Sequence, residues 1–299
     1  MRYKQPADEC PREFYDVVTD LKQYLKNADI ITRVEYVGSG ERGTWIPNSD
    51  YDSLFIKRDP TIQAHHVDNL SPYAHLKRDG AVVNARTAHE EFKQKLTEAL
   101  EVLGYSKHAK LTEKGSSSLV IDYYRGDSIV EGNQLFSVDV HFCYDVQDPE
   151  GVYRWYIAMS PPDAGGLDSN LWRVTMDRAE ESETQRIGAI ARWAVRVMKA
   201  IKRCDPCLAT VRSIVFEQTA YYLKDEHPRE CYWREQNMKT IIKDMLLFVS
   251  AACRKCYLKH YLMYHNILEG LDNETGQRVA ARLEWLAKEP QLTRRMMTV

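Results

Sequence analysis

The sequence predicts an α+β protein in which a lobe of mixed strands and helices precedes a helical lobe. Up to about residue 158, stretches of β-branched and aromatic residues alternate with helical periodicity. After Asn170 the apolar spacing is almost entirely helical, and the segment MSPPDAGGLDSN separates the two patterns. A chain of 299 residues also exceeds the size at which single cores usually divide. We therefore predict lobes at 1–165 and 166–299.

The first lobe begins with a long helix, predicted over 12–28 from apolar residues at helical spacing that follow Pro11. A second helix, AHEEFKQKLTEALEVLG, ends at Gly104. Strands are predicted where β-branched and aromatic residues cluster, in ITRVEYVG, YDSLFIKR, SSLVIDYYR and FSVDVHFCYDV. The second lobe is predicted to contain helices at about 178–203, 208–223, 234–258 and 275–288.

Composition limits the classes of function. The net charge is −2 and the pI is near 6.5, so a nucleic acid would have to bind a local basic patch. The sequence has no run of about 18 apolar residues, and its start lacks the apolar region of a signal peptide. Seven cysteines without a dense spacing framework indicate reduced thiols. We expect a cytoplasmic protein that does not associate with membranes.

Two aspartates follow a Gly-Ser turn in VGSGERGTWIPNSDYDSLFI. Residues two apart on a strand point to one face, so Asp50 and Asp52 are predicted to converge, and a divalent cation such as magnesium would relieve their repulsion. Gly38 allows a ligand to approach the backbone, and the Ser39 hydroxyl could hold a phosphate. The alternative is an ordinary loop followed by two aspartates at a solvated strand edge.

A third aspartate, Asp139, lies within the apolar run FSVDVHFCY. An acid inside a strand needs a partner or a metal. With Asp50 and Asp52, it would complete the ligand set of a two-metal phosphoryl-transfer site, for Mg²⁺ or Mn²⁺. The alternative is a salt bridge between Asp139 and a basic neighbour.

These residues resemble the nucleotidyltransferase-fold superfamily in their order: Gly-Ser, then Asp-x-Asp, then a lone aspartate on a later strand. Further segments narrow the resemblance to the cyclic GMP-AMP synthase (cGAS)-like receptors and their male-abnormal-type relatives. The resemblance extends over about 12–270 and includes FSVDVHF, LWRVTMDRAEE, AVRVMKAIK and CYLKHYLMYHNIL.

The resemblance implies a bilobal nucleotidyltransferase fold, in which the helical lobe closes the nucleotide cleft. Asp50, Asp52 and Asp139 would then be catalytic and would bind the metal, while Gly38 and Ser39 would hold phosphate. Four further nucleotide-binding positions are implied: Arg173 and Thr175 facing the bases, Glu180 beside the nucleotide, and Lys199 at the phosphates.

Two departures from the family pattern affect specificity. Family members often have a base-stacking tyrosine where CLATVRSIV places Ala209, so the nucleotide preference is left open. The zinc module of the vertebrate DNA sensor has no counterpart between Glu183 and Lys199. This absence argues against that mode of DNA binding, and relatives without the module include double-stranded RNA sensors.

The cysteine pairs CDPC and CRKC satisfy the ligand count of a zinc site. The second pair falls inside a predicted helix, where residues i and i+3 share a face. We therefore expect buried free thiols rather than structural zinc. The alternative is a zinc site formed by Cys204, Cys207, Cys253 and Cys256, with His227 and Cys231 as further candidate ligands.

Three functions remain open. The first is an enzyme of innate immune sensing that converts ATP and GTP into a cyclic dinucleotide, with double-stranded RNA as a possible activator and a ligand-induced dimer as a possible active form. The second is a catalytically inactive nucleotide-binding scaffold, and the third is a template-independent enzyme that makes linear products. Basic residues that could contact RNA phosphates are Lys22, Lys26, Lys57, Arg58, Lys107, Lys110, Lys114, Arg254, Lys255 and Lys259.

Overall fold

The fold is mixed α+β, as the sequence predicts. The structure is a computed structural model that describes residues 11–38, 42, 44, 51–67, 73–114, 118–126, 129, 132–147, 153–158, 170–263 and 265–289. In these ranges the helices are α1 Arg12–Asn27, α2 Ala85–Val102, α3 Asp177–Cys204, α4 Ile214–Glu226, α5 Met238–Arg254 and α6 Asn273–Lys288. The strands are β1 Arg33–Val37, β2 Tyr51–Arg58, β3 Ile62–His66, β4 Tyr73–Arg78, β5 Ala81–Val82, β6 Ala109–Lys114, β7 Ser118–Tyr124, β8 Gln134–Gln147, β9 Tyr153–Ala158 and β10 Leu171–Val174.

The chain divides into two compact units. The sheet unit contains Met1–Glu41 and Pro47–Asp177, and the helical unit contains Arg42–Ile46 and Arg178–Val299. The chain therefore leaves the sheet unit for five residues between β1 and β2. The predicted boundary at 165/166 falls outside the described residues and stays a prediction.

The sheet unit is organised around β8. The strand order is β1-β2-β8-β9-β10-β4-β3, with β5 paired to β4 and β7 paired to both β6 and β8. β8 is parallel to β2 and antiparallel to β7 and β9, so the sheet is mixed. The first half of β8 pairs with β7 and its last residues pair with β9. This arrangement places the middle of β8 next to the start of β2.

Helices α1 and α2 cover one face of the sheet. α1 buries Leu21 and α2 buries Phe92, in one cluster with Phe55 of β2 and Val140 of β8. Each large apolar side chain buried in this way contributes about 1.5–3 kcal/mol relative to exposure. On the opposite face, a smaller cluster consists of Leu54, Ile56, Cys143, Trp155 and Ile157. Side chains next to this second cluster lie on the face away from α1 and α2.

The helical unit has its own core, formed by α3 to α6. α3 is interrupted at Gly188, whose φ of 83° is outside the helical region. α6 begins close against the end of α5, because a Cβ at Gly276 would lie 2.5 Å from the Cys253 carbonyl oxygen and 2.9 Å from the Cys256 Sγ. Among the described residues, no helix combines the length and apolarity needed to cross a membrane.

The structure corrects the expectation that the chain is almost entirely helical after Asn170. Leu171–Val174 forms β10, which lies between β9 and β4. Leu171, Trp172 and Val174 are buried, so this short strand lacks the alternation of polar and apolar residues that identifies strands with one solvated face. Strands β3, β4, β5, β6 and β9 were also not predicted.

Two helices of the second lobe are shorter than predicted. The 208–223 helix begins at Ile214, because Pro206–Leu208 forms a separate 3₁₀ turn capped by the Asp205 side chain. The 234–258 helix runs only from Met238 to Arg254, since Cys256 has a φ of 49°. The CRKC pair is therefore not contained in a helix, as only Cys253 is helical.

Candidate functional site

Asp52 and Asp139 face each other across neighbouring strands. In the parallel pairing of β2 and β8 their Cα positions are in register, and such partners project to the same face of the sheet. Adjacent strands lie about 4.8 Å apart, which brings the two carboxylates within reach of a common ligand. Both residues are partly buried, on the face opposite α1 and α2. The register places together two aspartates that are 87 positions apart in the sequence.

Gly38 follows the last residue of β1 and lies directly against the Asp52 carboxylate. Its φ is 77°, and a Cβ built on it would lie 1.9 Å from Asp52 Oδ2 and 2.6 Å from Asp52 Cγ. The neighbouring β1 residue Val37 is paired with Asp52 in the β1–β2 register. Only glycine satisfies both the backbone angle and the space at this position. Gly38 therefore lets the backbone approach the Asp52 carboxylate, while its predicted close approach to a bound ligand stays a prediction.

The chemistry of these donors fits magnesium. Two carboxylates held side by side repel each other, and a divalent cation with oxygen ligands removes that repulsion. Asp52 and Asp139 supply such oxygens from adjacent strands. Asp50 and Ser39, which complete the predicted site, lie outside the described residues.

Arg173 lies on the same face of the sheet. It pairs with Ile157 of β9, and Ile157 pairs in turn with Cys143 of β8, so the three residues project together. Burial and the Asp177 charge raise the pKa of the Cys143 thiol, and the positive charge of Arg173 opposes that shift. The sheet thus presents a cation on the face that carries Asp52.

Thr175 occupies the turn between β10 and α3. Its backbone N–H donates to the Trp155 carbonyl over 2.9 Å, and its hydroxyl donates to the Asp177 carboxylate. The Asp177 N–H donates back to the Thr175 hydroxyl over 3.1 Å. This reciprocal arrangement satisfies a backbone donor in the first turn of α3. Thr175 therefore stabilises the helix start, whatever further contact it makes.

Glu180 and Lys199 both belong to the helical unit and are buried, with 5% and 6% of their surfaces exposed. The Lys199 ammonium donates to Glu217 Oε1 over 2.6 Å and to the Thr44 hydroxyl over 3.2 Å. Glu180 Oε1 accepts from Gln218 over 3.3 Å. Glu180 and Lys199, both predicted to bind nucleotide, thus form hydrogen bonds with other residues of the helical unit.

Arg42 completes this cluster. Its guanidinium contacts Glu180 Oε2 at 3.0 Å and Glu217 Oε2 at 2.9 Å. Only 10% of the Arg42 side chain and 3% of the Glu217 side chain are exposed. Burial alone would raise the pKa of the Glu217 carboxyl, but the charges of Arg42 and Lys199 hold that pKa well below its ordinary value. Two cations and two carboxylates balance each other in a desolvated site.

Two further polar side chains, those of His260 and Tyr221, contact Glu180 of this cluster. His260 Nε2 lies 2.9 Å from Glu180 Oε1, and the Leu262 N–H donates to His260 Nδ1. Because Nδ1 accepts, the proton is on Nε2 and is donated to Glu180. The Tyr221 hydroxyl donates to the Glu180 backbone carbonyl over 3.2 Å. Burial is the main reason that the pKa of this hydroxyl is raised.

Sequence reasoning missed Arg42 and Glu217. Glu217 is an acidic residue within the largely apolar first part of α4, IVFEQTAYYL. The argument used for Asp139, that an acid in an apolar segment needs a partner, applies equally to Glu217. No comparable signal identifies Arg42, which lies in a polar, glycine-rich stretch.

Residues 191–285 match the Mab-21 protein HhH/H2TH-like domain. This domain belongs to the cGAS/Mab-21 nucleotidyltransferase family, and the match indicates a nucleotidyltransferase-like fold for the chain. It covers about a third of the 299 residues, from the middle of α3 to most of α6. A comparison with proteins of curated function found no match. The resemblance to male-abnormal-type proteins is confirmed over these residues, which include Lys199.

The cysteines of the two C-x2-C pairs differ in environment. Cys204 is exposed, Cys207 and Cys256 are partly buried, and Cys253 is buried. Burial raises the pKa of the Cys253 thiol to about 12, and Cys256 Sγ lies 3.5 Å from the Cys253 carbonyl oxygen. No cluster of three or more metal-ligating side chains occurs in the described ranges. The prediction against structural zinc stays a prediction.

Proposed function

We propose that this protein is a cGAS-like nucleotidyltransferase that joins ATP, GTP or both into a cyclic dinucleotide. The pairing of Asp52 with Asp139, with Gly38 against the Asp52 carboxylate, is the observation that carries the proposal. The Mab-21 domain match supports it independently, because it comes from the helical unit rather than from the carboxylates. The proposal includes Asp50 as the third carboxylate and Ser39 as a phosphate-binding residue.

In the proposed reaction, Asp52 and Asp139 would hold Mg²⁺ and so orient the nucleoside triphosphate. Magnesium, when bound, would lower the pKa of the attacking ribose hydroxyl and neutralise charge on the triphosphate. The hydroxyl oxygen displaces pyrophosphate from the α-phosphorus in line, and the proton of the hydroxyl passes to solvent. The linear dinucleotide then rebinds, and a second transfer of the same kind closes the ring with release of a second pyrophosphate.

The remaining predicted residues would bind the nucleotides. Arg173 and Thr175 would face the bases, Glu180 would lie beside the nucleotide, and Lys199 would contact the phosphates. Lys199 already has a carboxylate partner, since its ammonium lies 2.6 Å from Glu217. Phosphate must therefore replace or share that partner. This exchange makes nucleotide binding through Lys199 dependent on a rearrangement of the helical unit's buried cluster.

We further propose that the enzyme acts in the cytoplasm in innate immune sensing and is activated by double-stranded RNA. Recognition of such a ligand depends on backbone phosphates and 2′-hydroxyls, so it requires clustered basic side chains rather than a cationic protein. The absence of a zinc-module sequence between Glu183 and Lys199 supports RNA over DNA. Binding along one RNA helix would favour a ligand-induced dimer.

The test is to incubate purified protein with radiolabelled ATP and GTP in the presence of Mg²⁺ or Mn²⁺. Separate reactions contain double-stranded RNA, double-stranded DNA or no nucleic acid, and the products are identified by mass spectrometry. We expect a cyclic dinucleotide that depends on RNA. Asp52→Asn and Asp139→Asn should each abolish it.

Asp122→Asn is the matched control. Asp122 is a partly buried strand aspartate next to β8, and it accepts hydrogen bonds from Gln134 and Ser137. This variant should retain product formation. Equal activity in all three variants would contradict the assignment of Asp52 and Asp139.

A nucleotide-binding scaffold is the second candidate function. The Lys199–Glu217 ion pair favours it, because this carboxylate competes with phosphate for the ammonium. A scaffold would bind MgATP in a calorimeter without forming product under any of these conditions. A linear oligonucleotide product would instead identify the third possibility, a template-independent enzyme with the same carboxylates.

A further inference from the structure

One end of the sheet carries four planar side chains on a single face. Arg173 of β10 is paired with Tyr73 of β4, and His75 of β4 is paired with His65 of β3. Directly paired residues project to the same face, with Cβ atoms about 4.5–5.5 Å apart. Tyr73 and His75 are two positions apart on β4, so they also share a face and lie about 7 Å apart. The four side chains therefore occupy neighbouring positions on one surface.

Burial identifies this surface as the face of the sheet opposite α1 and α2. The intervening residues of β3 and β4 are buried in the core that α1 and α2 cover: Ala64, Ala74 and Leu76. The planar residues are accessible, since His65 is exposed and the other three are partly buried. The strand registers from β8 through β9 and β10 to β4 place them on the face that carries Asp52 and Asp139.

The same surface is cationic. Lys77 of β4 is paired with Gln63 of β3, one step beyond His75 and His65 on this face. None of the seven residues by which β3, β4 and β10 contribute to this face is acidic: Gln63, His65, Tyr73, His75, Lys77, Leu171 and Arg173. Lys77 and Arg173 supply positive charges on either side of His75. His65, Tyr73, His75, Lys77 and Arg173 together form a platform of planar and cationic side chains.

The chemistry of the platform matches single-stranded nucleic acid. Aromatic rings and guanidinium planes stack on unpaired bases, and neighbouring cations contact the backbone phosphates. Bases inside a duplex already stack on one another and do not offer their faces. Exposed aromatic side chains on a sheet bind two or three bases in a common RNA-binding fold. This platform extends over three strands, or about 10 Å, so it has room for more than one base.

The platform is separate from the carboxylate pair within the sheet unit. From Asp139 of β8, the strand of Tyr73 is three strands away, or about 14 Å across the sheet. Tyr73 is also in the row of Cys143, four residues beyond Asp139 and thus about 13 Å along the strand. Together these offsets give a separation of about 19 Å. Substitutions on the platform should therefore leave metal binding at the carboxylates unchanged.

We propose that the platform binds a short single-stranded oligonucleotide. Its bases stack on Tyr73 and the neighbouring planar side chains, and its phosphates contact Lys77. The proposed function already places Arg173 at a base, and the platform extends that contact to a strand of several nucleotides. Binding of this kind needs no catalysis, so it does not depend on the proposed function. It also differs from recognition of double-stranded RNA, which does not use stacking on exposed bases.

The test measures fluorescence anisotropy of fluorescein-labelled hexa-adenylate with the full chain, at several salt concentrations. Tyr73→Leu removes the ring but keeps an apolar side chain, and Tyr73→Phe keeps the ring. Lys77→Gln removes one cation of the platform. Arg78→Gln is the matched control, because Arg78 is the next residue of β4 and projects to the opposite face, where it contacts Asp59 and Tyr144. Circular dichroism and urea denaturation check that each variant is folded.

Stacking and phosphate contact predict different changes. Tyr73→Leu should weaken binding about fivefold or more, whereas Tyr73→Phe should bind like the wild type. Lys77→Gln should reduce the slope of log affinity against log salt by about 0.7, the contribution of one phosphate contact on a single strand. Arg78→Gln should change neither the affinity nor the slope. Unlabelled AMP should compete at least about tenfold more weakly than tri-adenylate, because it offers one base instead of three.

Three results would overturn the platform. They are unchanged affinity in Tyr73→Leu, competition by AMP or by a blunt RNA duplex that equals that of tri-adenylate, and a loss of affinity in Arg78→Gln as large as that in Lys77→Gln. A loss of Mn²⁺ affinity in Tyr73→Leu would also count against it, because the ring would then act through the carboxylate pair.

The same experiments distinguish this site from the proposed function. If the wild type forms no dinucleotide but binds hexa-adenylate through Tyr73, the platform stands and the nucleotidyltransferase proposal falls. If the wild type forms the dinucleotide but its binding of hexa-adenylate does not depend on Tyr73, the platform falls and the nucleotidyltransferase proposal stands.

Discussion

Replacing Gly38 with alanine tests the close approach of β1 to the Asp52 carboxylate. An alanine Cβ would lie 1.9 Å from Asp52 Oδ2, whereas Cβ atoms in proteins essentially never come within 3.0 Å of another heavy atom. The carboxylate or the end of β1 must therefore move by about 1 Å. A displacement of that size at a reacting group can cost about 100-fold in rate.

The same substitution also strains the backbone. Gly38 has a φ of 77°, and an L-residue in this region costs roughly 1–2 kcal/mol. Gly80→Ala provides a matched control, since Gly80 has a φ of 82° but its added Cβ would meet nothing within 4 Å. Both variants should lose unfolding free energy through this backbone strain, and Gly38→Ala should lose more because its Cβ also clashes with Asp52; urea denaturation measures both losses.

Only the Gly38 variant should lose function. We expect its kcat/KM for dinucleotide formation to fall at least tenfold below that of Gly80→Ala, with weaker Mn²⁺ binding. Mn²⁺ binding also provides a measurement that does not depend on finding the activator. Equal kcat/KM and equal Mn²⁺ affinity in the two alanine variants would refute the reasoning.

Two further predictions concern titratable groups in the rest of the fold. His89 of α2 is 1% exposed, neither ring nitrogen has a hydrogen-bond partner among the described residues, and burial lowers its pKa from 6.5. The unfolded state then binds more protons, so unfolding free energy should fall by up to about 1.4 kcal/mol per pH unit below about pH 6.5. Denaturation at pH 7.5 and 5.5 should show a smaller pH effect in His89→Leu, whereas the exposed-site control His65→Gln should match the wild type. Alkylating reagents should modify the exposed Cys204 and Cys231 in the native protein, but should modify the buried Cys143 only after unfolding, and mass spectrometry locates the modified residues. Rapid alkylation of Cys143 in the native protein would contradict its buried position.

The strands and helices that the sequence predicts are those with a strong local signal. α1 has a continuous apolar stripe, and β2 and β8 are rich in β-branched and aromatic residues. β10 gave no such signal because it is four residues long and mostly buried. The end of α5 could not be located from periodicity, since it depends on the left-handed backbone of Cys256 and the packing of Gly276.

In the candidate site, too, the sequence predicts the residues with a local signal and misses those without one. Asp139 was identified because an acid in an apolar strand is costly without a partner, and Asp52 because of its spacing from Asp50. Their register across β2 and β8 depends on strand pairing, which single-strand patterns do not determine. Arg42 was missed because its buried environment is created by residues more than 130 positions away. Local composition contains no information on that contact.

The two main observations constrain the function from different parts of the chain. The Mab-21 domain match covers 191–285 and includes none of the three predicted carboxylates. The Asp52–Asp139 pairing lies entirely in the sheet unit and does not depend on that match. Proteins can retain a fold after losing activity, so the domain match alone would fit a scaffold equally well. The two carboxylates in register, with a glycine against one of them, are the groups that phosphoryl transfer requires. The catalytic hypothesis therefore depends on the sheet unit, and variants of Gly38, Asp52 and Asp139 are the most direct test of it.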